Sequence, residues 1–340
     1  MSWSSDYRSE RAFWVALRTR ATQQSRTDHT HSSQELIRQF VIQRFIARLF
    51  TDTDSSPWVV AGGTGMLIRM PGARATRDLD LTTLTPDLGE PHAVQQALST
   101  ATGAHDADPF IYTVDTGKPF TGAVRGTKLR ITATVSTDRA ATFGLDVAAD
   151  TILVSDIEHQ QMQPAVPGMR GLPPLPSVPL FPLASQIADK VVGVMYRDDK
   201  NRSANRYRDL VDLALYAQSV DVSAAALRSA LADRAATRTQ PPPDRIEIPP
   251  GWDAGYARTA AATSLPVPLR DAATAADVVN AWLQPVLSGS IVAEHIWDHS
   301  ASAWRPPDHA PHRPGEVWVR PHTRDGRDIA DYYRRAPRRP

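Results

Sequence analysis

Two aspartates two positions apart, Asp78 and Asp80, have the spacing in this sequence that most directly suggests chemistry. They lie in a segment, residues 76–81, whose polar and apolar residues alternate as in a β-strand. Successive strand side chains point to opposite faces, so we expect both carboxylates on one face and Leu79 and Leu81 in the core. Adjacent carboxylates repel each other unless a cation lies between them, and a hard divalent metal such as Mg²⁺ suits that position.

A glycine pair precedes the aspartates and is predicted to hold phosphate. Residues 58–61 (WVVA) form a short apolar run typical of a buried strand. Gly62 and Gly63 lack a Cβ, so a ligand can approach their backbone closely. Thr64 is the predicted N-cap of a short helix that ends before Pro71-Gly72. Unpaired N–H groups at a helix start form an anion site.

A phosphate at this helix start, next to metals held by Asp78 and Asp80, describes a site for nucleotidyl transfer. A D-x-D pair alone is weak support, because most such pairs are solvated residues of turns or strand ends. The ordered combination of strand, glycine pair, short helix, turn and D-x-D strand is much more specific.

This stretch resembles the first motif of the DNA polymerase β-like nucleotidyltransferase superfamily, and in particular the AbiEii/AbiGii toxin branch. That branch has a Gly-Gly-Thr, a short helix, an Arg-Thr/Ser pair and then D-x-D. Thirteen residues separate Thr64 from Asp78 here, slightly more than is usual. The resemblance covers roughly residues 35–290 and implies Mg²⁺, a nucleoside triphosphate (NTP) substrate and a cognate antitoxin as partner.

The superfamily also uses a third carboxylate from a neighbouring strand, and Asp146 is the best-placed candidate. Asp146 lies in the apolar segment 142–148, where an unpaired carboxylate would be costly to bury. The alternatives are that Asp146 pairs with an arginine or faces solvent, with Asp150 as the rival third carboxylate.

A predicted helix–loop–helix supplies the second group of candidates. Residues 183–196 form an amphipathic helix that carries Lys190, residues 197–206 a polar basic loop, and residues 207–217 a second helix. Asp209 and Asp212 share one face of that helix. The alternative for either residue is a purely structural role, because a carboxylate near a helix N-terminus interacts favourably with the helix dipole. The segments resemble the later AbiEii motifs, Ile-Ala-x-Lys and Arg-Asp-Leu-x-Asp-Leu.

The resemblance implies a role for each candidate residue. Asp78, Asp80 and Asp146 would bind two Mg²⁺ ions, while Gly62, Gly63 and Thr64 would hold the NTP phosphates. Lys190 would neutralise charge on the departing pyrophosphate. Asp209 or Asp212 would orient Lys190 or activate the acceptor hydroxyl, and the sequence does not choose between them.

Composition excludes several other classes of protein. The 340 residues contain no cysteine, so disulfides, thiolate zinc sites and cysteine nucleophiles are excluded. The net charge is +1, so contact with nucleic acid requires a local patch rather than a global field. No apolar run approaches membrane-spanning length and no signal peptide is evident, so we expect a cytoplasmic protein. His295 and His299 lack the glutamate of a zinc-protease motif, and no P-loop follows the glycines.

The predicted fold is α/β (α+β), a polymerase β-like nucleotidyltransferase core with N-terminal helices and a C-terminal helical domain. We expect helices in 1–50, the core in 51–165, a helical domain in 183–300 and a basic, flexible tail in 301–340. The proline-rich stretch 163–182 is predicted to be an extended connector without helix or central strand. Arg38, Arg44 and Arg48 in the second N-terminal helix are expected to be solvated.

The resemblance implies a nucleotidyltransferase toxin, and we expect its acceptor to be the 3′ end of tRNA, with the basic tail as a candidate RNA contact. Two alternatives stay open. One is a nucleotidyltransferase that modifies a small molecule such as an antibiotic, and the other is an inactive RNA-binding protein on the same fold.

Overall fold

The computed structural model describes residues 6–28, 30–53, 55–85, 88, 90–103, 107–121, 124–149, 157–195, 206–238 and 245–307, with four short strands between 316 and 335. The helices are α1 (Glu10–Asp28), α2 (Ser33–Leu49), α3 (Gly62–Arg69), α4 (Pro91–Thr102), α5 (Leu183–Met195), α6 (Tyr207–Ser219), α7 (Ala224–Arg238), α8 (Asp253–Ala261) and α9 (Ala272–Leu287). A short 3₁₀ helix, Val267–Arg270, precedes α9.

Strands occur in two groups, most of them before α5. The first group is β1 (Trp58–Ala61), β2 (Asp78–Thr83), β3 (Ile111–Val114), β4 (Lys118–Phe120), β5 (Gly126–Val135), β6 (Asp138–Ala148), β7 (Glu158–Gln161) and β8 (Ser177–Leu180). The second group is β9 (Val222–Ser223), β10 (Ile296–Asp298), β11 (Ala303–Arg305), β12 (Glu316–Val319), β13 (His322–Arg324), β14 (Arg327–Ile329) and β15 (Tyr332–Arg335).

One mixed sheet forms the centre of the fold, with the order β3-β5-β6-β2-β1-β8-β7 and β4 paired beside β5. β2 pairs antiparallel with β1 and parallel with β6, so it lies in the middle of the sheet. Leu79 and Leu81 of β2 are buried, as the alternating pattern predicted. The mixed sheet with helices around it confirms the predicted α/β class.

The N-terminal helices cover one face of this sheet. Apolar side chains of α1 and α2 join sheet residues in one core, among them Phe13, Phe40 and Phe45. Ser32 and Glu35 form the predicted capping box of α2: the Ser32 side chain accepts from Glu35 N at 3.3 Å, and Ser32 N donates to the Glu35 carboxylate at 2.9 Å. The prediction of helices in the first 50 residues is therefore confirmed.

The helices after β8 surround a second core. α6 lies at its centre and packs against α5, α8 and α9. Trp252, Tyr256, Trp282 and Leu283 are all buried in this core, as predicted. The predicted helix–loop–helix is confirmed in α5 and α6, while most of the loop between them lies outside the described residues, as does Asp150.

The prediction for the proline-rich stretch was wrong in one respect. Its last residues form β8, which lies inside the sheet between β1 and β7. Pro179 lies in β8 opposite His159 of β7. Pairing with β1 instead uses the amide of Phe181, which donates to Val60 O at 2.8 Å, so that contact needs no N–H at Pro179.

Two arginines of α2 are buried, contrary to prediction. Arg44 and Arg48 are 2% and 4% exposed, and Asp108 accepts from both of them. Arg48 Nη2 lies 2.6 Å from Asp108 Oδ1, and Arg44 Nε lies 3.4 Å from Asp108 Oδ2. Asp108 precedes β3, far from α2 in sequence, so helical periodicity in α2 alone did not indicate this partner.

In the described residues, no helix is both long and apolar enough to cross a bilayer.

Candidate active site

The parallel register of β2 and β6 determines where the acidic residues lie. Asp80 pairs with Asp146 and Asp78 pairs with Gly144, so the three aspartates belong to neighbouring strands at matching positions. Gly144 leaves room for Asp78, since a Cβ built on Gly144 would lie 2.5 Å from Asp78 Oδ1. The sheet therefore brings Asp146, which is distant in sequence, beside the Asp78 and Asp80 carboxylates of the neighbouring strand.

Asp80 lies against the glycine pair. A Cβ on Gly62 would overlap the Asp80 carboxylate, and the backbone N–H of Gly63 donates to that carboxylate. Gly62 has a φ of +55°, in the left-handed region that favours glycine. Both the close approach and the backbone conformation therefore require glycine at position 62.

The prediction that Thr64 is the N-cap of α3 was wrong, because the N-cap is Ala61 and the helix begins three residues earlier than predicted. Thr64 is buried, and its hydroxyl donates to the backbone oxygen of Asp78 at 3.2 Å. This bond ties the first turn of α3 to the start of β2. The helix start itself is formed by Gly62 and Gly63, whose amides need no side chain to reach a ligand.

Negative charge is concentrated around Asp80. Burial, followed by the charge of Asp146, raises the pKa of Asp80 above its ordinary value, and the charge of Asp78 adds to the effect. Lys190 and the N–H of Gly63 act in the opposite direction. A cation bound beside the half-buried Asp80 carboxylate would therefore lower the electrostatic repulsion between these acids.

Lys190 of α5 is held by two carboxylates of α6. Lys190 Nζ lies 2.8 Å from Asp209 Oδ1 and 2.9 Å from Asp212 Oδ2. Arg74 binds Asp212 through two bonds of 2.9 Å each. Burial alone would lower the pKa of Lys190, but the charges of Asp212 and Asp209 outweigh it and raise that pKa, so Lys190 carries its charge at neutral pH.

The two aspartates of α6 differ in access to the cavity. Asp212 is fully buried, and although burial acts to raise its pKa, the charges of Lys190 and Arg74 lower it overall. Asp209 lines the cavity, also binds Arg206 at 3.0 Å, and fits against Gly193, where a Cβ would lie 2.7 Å from Asp209 Oδ2. Asp212 is not among the lining residues in the described part of the chain.

One cavity of about 790 Å³ brings most of the candidates together. The predicted residues on its wall are Gly62, Gly63, Asp78, Asp80, Asp146, Lys190 and Asp209. Prediction from sequence missed several other lining residues, including Arg74, Gln186, Arg206 and Arg234. Gln186 lies one helical turn before Lys190 and donates to Gly62 O, so its spacing was a usable signal. Arg74 follows no local pattern that would have indicated its role.

The carboxylates fit a hard cation by their chemistry. Oxygen donors gathered on one sheet face, with a raised pKa at Asp80, are suited to Mg²⁺. Asp146 Oδ2 now lies 2.9 Å from Lys128 Nζ, which partly neutralises it. Within the described ranges, no three acidic or histidine side chains are close enough together to hold one metal ion as they stand.

Comparison with known families defines the class of the protein. Residues 44–278 match the family model described as nucleotidyl transferase AbiEii toxin, type IV TA system, where TA denotes toxin–antitoxin. The protein is therefore a nucleotidyltransferase of the toxin–antitoxin type. The match covers more than half of the chain, and the chain belongs to the AbiEii family.

Solved structures with some likeness to this chain have low sequence identity. One is MenT4, a nucleotidyltransferase toxin from Mycobacterium tuberculosis H37Rv, with 17% identity, 80% of this chain and 98% of that chain covered, and a TM-score of 0.47. Another is JHP933 from Helicobacter pylori, with 17% identity, 76% and 95% coverage, and a TM-score of 0.43. No curated protein sequence matches the chain significantly.

Proposed function

We propose that this protein transfers a nucleoside monophosphate from an NTP to an acceptor hydroxyl, with Mg²⁺ as cofactor and the 3′ end of tRNA as the acceptor. The observation that carries the proposal is the contact between Asp80 and the Gly62-Gly63 helix start, in a cavity that Lys190 also lines. Metal-binding carboxylates, a phosphate-binding backbone and a fixed cation are the components that nucleotidyl transfer requires.

In this proposal, Asp78, Asp80 and Asp146 hold Mg²⁺, which when bound would neutralise charge on the triphosphate and the attacking oxygen. The amides of Gly62 and Gly63 orient the phosphates of the NTP once Asp80, which accepts from the Gly63 N–H in the structure, turns to the metal. Asp146 must exchange its ion pair with Lys128 for metal coordination. Lys128 is 60% exposed in its side chain, so it is free to move away into solvent.

Lys190 binds the pyrophosphate side of the NTP and stabilises the charge that develops there. Its contacts with Asp209 and Asp212 hold Nζ in place, so little reorganisation is needed when the substrate binds. Of the two aspartates, Asp209 is the one we assign to substrate contact, since it lines the cavity. Asp212 is a positioning residue that fixes Lys190 and Arg74 from within the core.

We also propose that the site lies between a core at 51–165 and a helical part at 183–300, after an N-terminal segment at 1–50. The tail at 301–340 is basic by sequence and would add RNA contacts in the cytoplasm. The type IV family membership implies an antitoxin partner.

The test is transfer of label from each of the four α-labelled NTPs to purified tRNA. Wild-type protein should add label to tRNA with Mg²⁺ and lose activity with excess chelator. Asp80→Asn should be inactive, because it removes a metal ligand while keeping the size of the side chain. Sequencing of RNA 3′ ends from cells expressing either protein would identify the acceptor and the number of nucleotides added.

The antibiotic-modifying alternative is tested in parallel with aminoglycosides in place of tRNA. Label found only on the small molecule would overturn the RNA acceptor while preserving the nucleotidyl-transfer chemistry. The inactive RNA-binding alternative predicts that Asp80→Asn has the same effect on growth as wild type.

A further inference from the structure

A second cavity, of about 230 Å³, lies beside the candidate active site on the side of Asp78. It shares Arg74, Thr76, Asp78 and Arg208 with the larger cavity, so the two meet around the first aspartate of the D-x-D pair. A molecule bound in the smaller cavity can therefore extend to the carboxylates of the larger one.

His31 on the wall of this smaller cavity lacks a hydrogen-bond partner. Its side chain is on the loop before α2 and the residue is 7% exposed. Among the described residues, neither ring nitrogen of His31 has a partner. Buried polar atoms in folded proteins are almost always hydrogen-bonded, so an unpaired imidazole at a cavity wall indicates a ligand that supplies the missing bond.

Beyond Asp78, which the proposed function assigns to the metal, the unengaged charge on the wall of this cavity is positive. Arg77 and Arg208 both line it and both are exposed, and neither forms an ion pair within the described part of the chain. Glu35, an acid on the same wall, accepts bonds from the N–H and the hydroxyl of Ser32 in the capping box, so it is already engaged. Two available guanidinium groups beside an unpaired histidine form a site for an anion such as phosphate.

We propose that the smaller cavity is the acceptor subsite and that it binds a phosphodiester of the nucleotide strand carrying the acceptor hydroxyl. This inference rests on the proposed function and deepens it, since it assigns the acceptor to a polyanionic class. Arg77 and Arg208 bind phosphate oxygens, and His31 donates to a phosphate or ribose oxygen. An aminoglycoside-like acceptor is a polycation, which two unpaired arginines at this cavity would repel.

The experiment measures binding and transfer separately on a synthetic RNA hairpin with a single-stranded 3′ end. Binding is followed by fluorescence anisotropy over a series of salt concentrations, and transfer by labelled NTP. The variants are Arg77→Gln, Arg208→Gln and His31→Ala, with Arg139→Gln as the matched control. Arg139 is an exposed arginine at the start of β6 that lines neither cavity.

Each arginine variant should weaken hairpin binding and reduce the slope of log K against log salt by roughly one, as expected for loss of one phosphate contact. KM for the hairpin should rise in both variants. KM for the NTP should stay within about twofold in Arg77→Gln, because Arg77 lines only the smaller cavity whereas Arg208 lines both. His31→Ala should raise KM for the hairpin about tenfold, the loss of one hydrogen bond to a charged group. Arg139→Gln should behave as wild type.

The proposal is overturned if Arg77→Gln and Arg208→Gln keep the salt slope and hairpin KM of Arg139→Gln. It is also overturned if Arg77→Gln changes KM for the NTP as much as KM for the hairpin. A different result separates this inference from the proposed function. If the arginine variants change the salt slope but the wild-type protein transfers no nucleotide to RNA, the binding site stands and the proposed reaction fails.

Discussion

The carboxylate of Asp80 occupies the space that a side chain on Gly62 would need. We predict that Gly62→Ala abolishes nucleotidyl transfer, because the added methyl group must displace Asp80 from the helix start. The φ of +55° at position 62 adds backbone strain, which costs about 1–3 kcal/mol for a residue with a Cβ. Transfer assays and urea unfolding of the same preparation measure the two effects.

Gly289→Ala is the control for the backbone term alone. Gly289 also has a positive φ, +71°, but a Cβ there would have no atom within 4 Å. Gly289→Ala should lose about 1–3 kcal/mol of stability from backbone strain, as expected for the same strain at position 62, and should keep full activity. An active Gly62→Ala protein would show that the contact between Asp80 and the glycine turn is not needed for the reaction.

Replacing Asp80 by asparagine should stabilise the protein while it removes activity. The pKa of Asp80 is raised in the folded state, so folding favours the protonated form. The free energy of unfolding therefore falls as pH rises from 3.8, the ordinary pKa of the carboxyl group, through its higher pKa in the folded protein. At pH 7 Asp80→Asn should unfold at higher urea than wild type, and the difference should shrink below pH 3.8.

Asp138→Asn provides the matched control, since Asp138 is an exposed aspartate at the start of β6. It should change neither stability nor transfer. If Asp80→Asn proves less stable than wild type at pH 7, the crowding of negative charge around Asp80 is not a cost to the fold.

The glycine pair and the D-x-D strand were predictable because their rules are local. Strand alternation put Asp78 and Asp80 on one face, and the lack of a Cβ at Gly62 indicated a close approach. The sequence indicated a ligand as the approaching group, whereas the structure has Asp80 itself against Gly62. The exact start of α3 was missed, because Ala61 caps the helix without any side-chain bond to mark it.

Other parts of the site depend on contacts between distant segments, and no local pattern encodes them. Arg74 and Asp212 are 138 positions apart, yet they form an ion pair with two hydrogen bonds beside Lys190. The burial of Arg48 depends in the same way on Asp108, 60 positions away. Helical spacing identified which face of α2 is apolar. It did not show that an acid from another segment would accept hydrogen bonds from the arginines on the remaining face.

Gly193→Ala, which adds a methyl group to α5, should lower activity with little change in stability. Gly193 lies inside α5, and a Cβ at this position would lie 2.7 Å from Asp209 Oδ2. Gly193→Ala gains up to about 1 kcal/mol in helix propensity, which offsets part of the steric cost. We therefore expect near-normal thermal stability and a fall in the rate of transfer, because Asp209 must move away from Lys190. Unchanged activity would argue against a role for Asp209 at the substrate.

Substitution of Asp212 should lower mainly stability, whereas substitution of Asp209 should lower mainly activity. Asp212→Asn leaves buried Lys190 and Arg74 with less compensating charge, and breaking such a buried pair costs about 3–5 kcal/mol. Asp209→Asn leaves Lys190 with Asp212, so its stability cost should be smaller while its activity is lost. Chemical unfolding and single-turnover transfer of both variants, compared with wild type, measure this contrast.

The pH dependence of the Asp212 effect follows from its lowered pKa. Its stabilisation is fully present above the ordinary carboxyl value of 3.8 and is lost as pH falls through the lower folded value. The pKa of Lys190 is raised, so its contribution is complete below 10.5 and lost only at higher pH. The difference between Asp212→Asn and wild type should therefore stay constant between about pH 5 and pH 9. A difference that varies within that range would contradict this assignment.

Magnesium should stabilise the folded protein through the three carboxylates of β2 and β6. A ligand that binds only the folded state adds about 2.7 kcal/mol when its concentration is 100 times its Kd. Wild-type protein should therefore melt at higher temperature with MgCl₂ than with NaCl of equal ionic strength, whereas Asp80→Asn should show little difference between the salts. Asp138→Asn should follow wild type. An equal response of Asp80→Asn and wild type to MgCl₂ would mean that the ion binds elsewhere, since burial and the neighbouring charges of Asp146 and Asp78 make Asp80 the expected ligand.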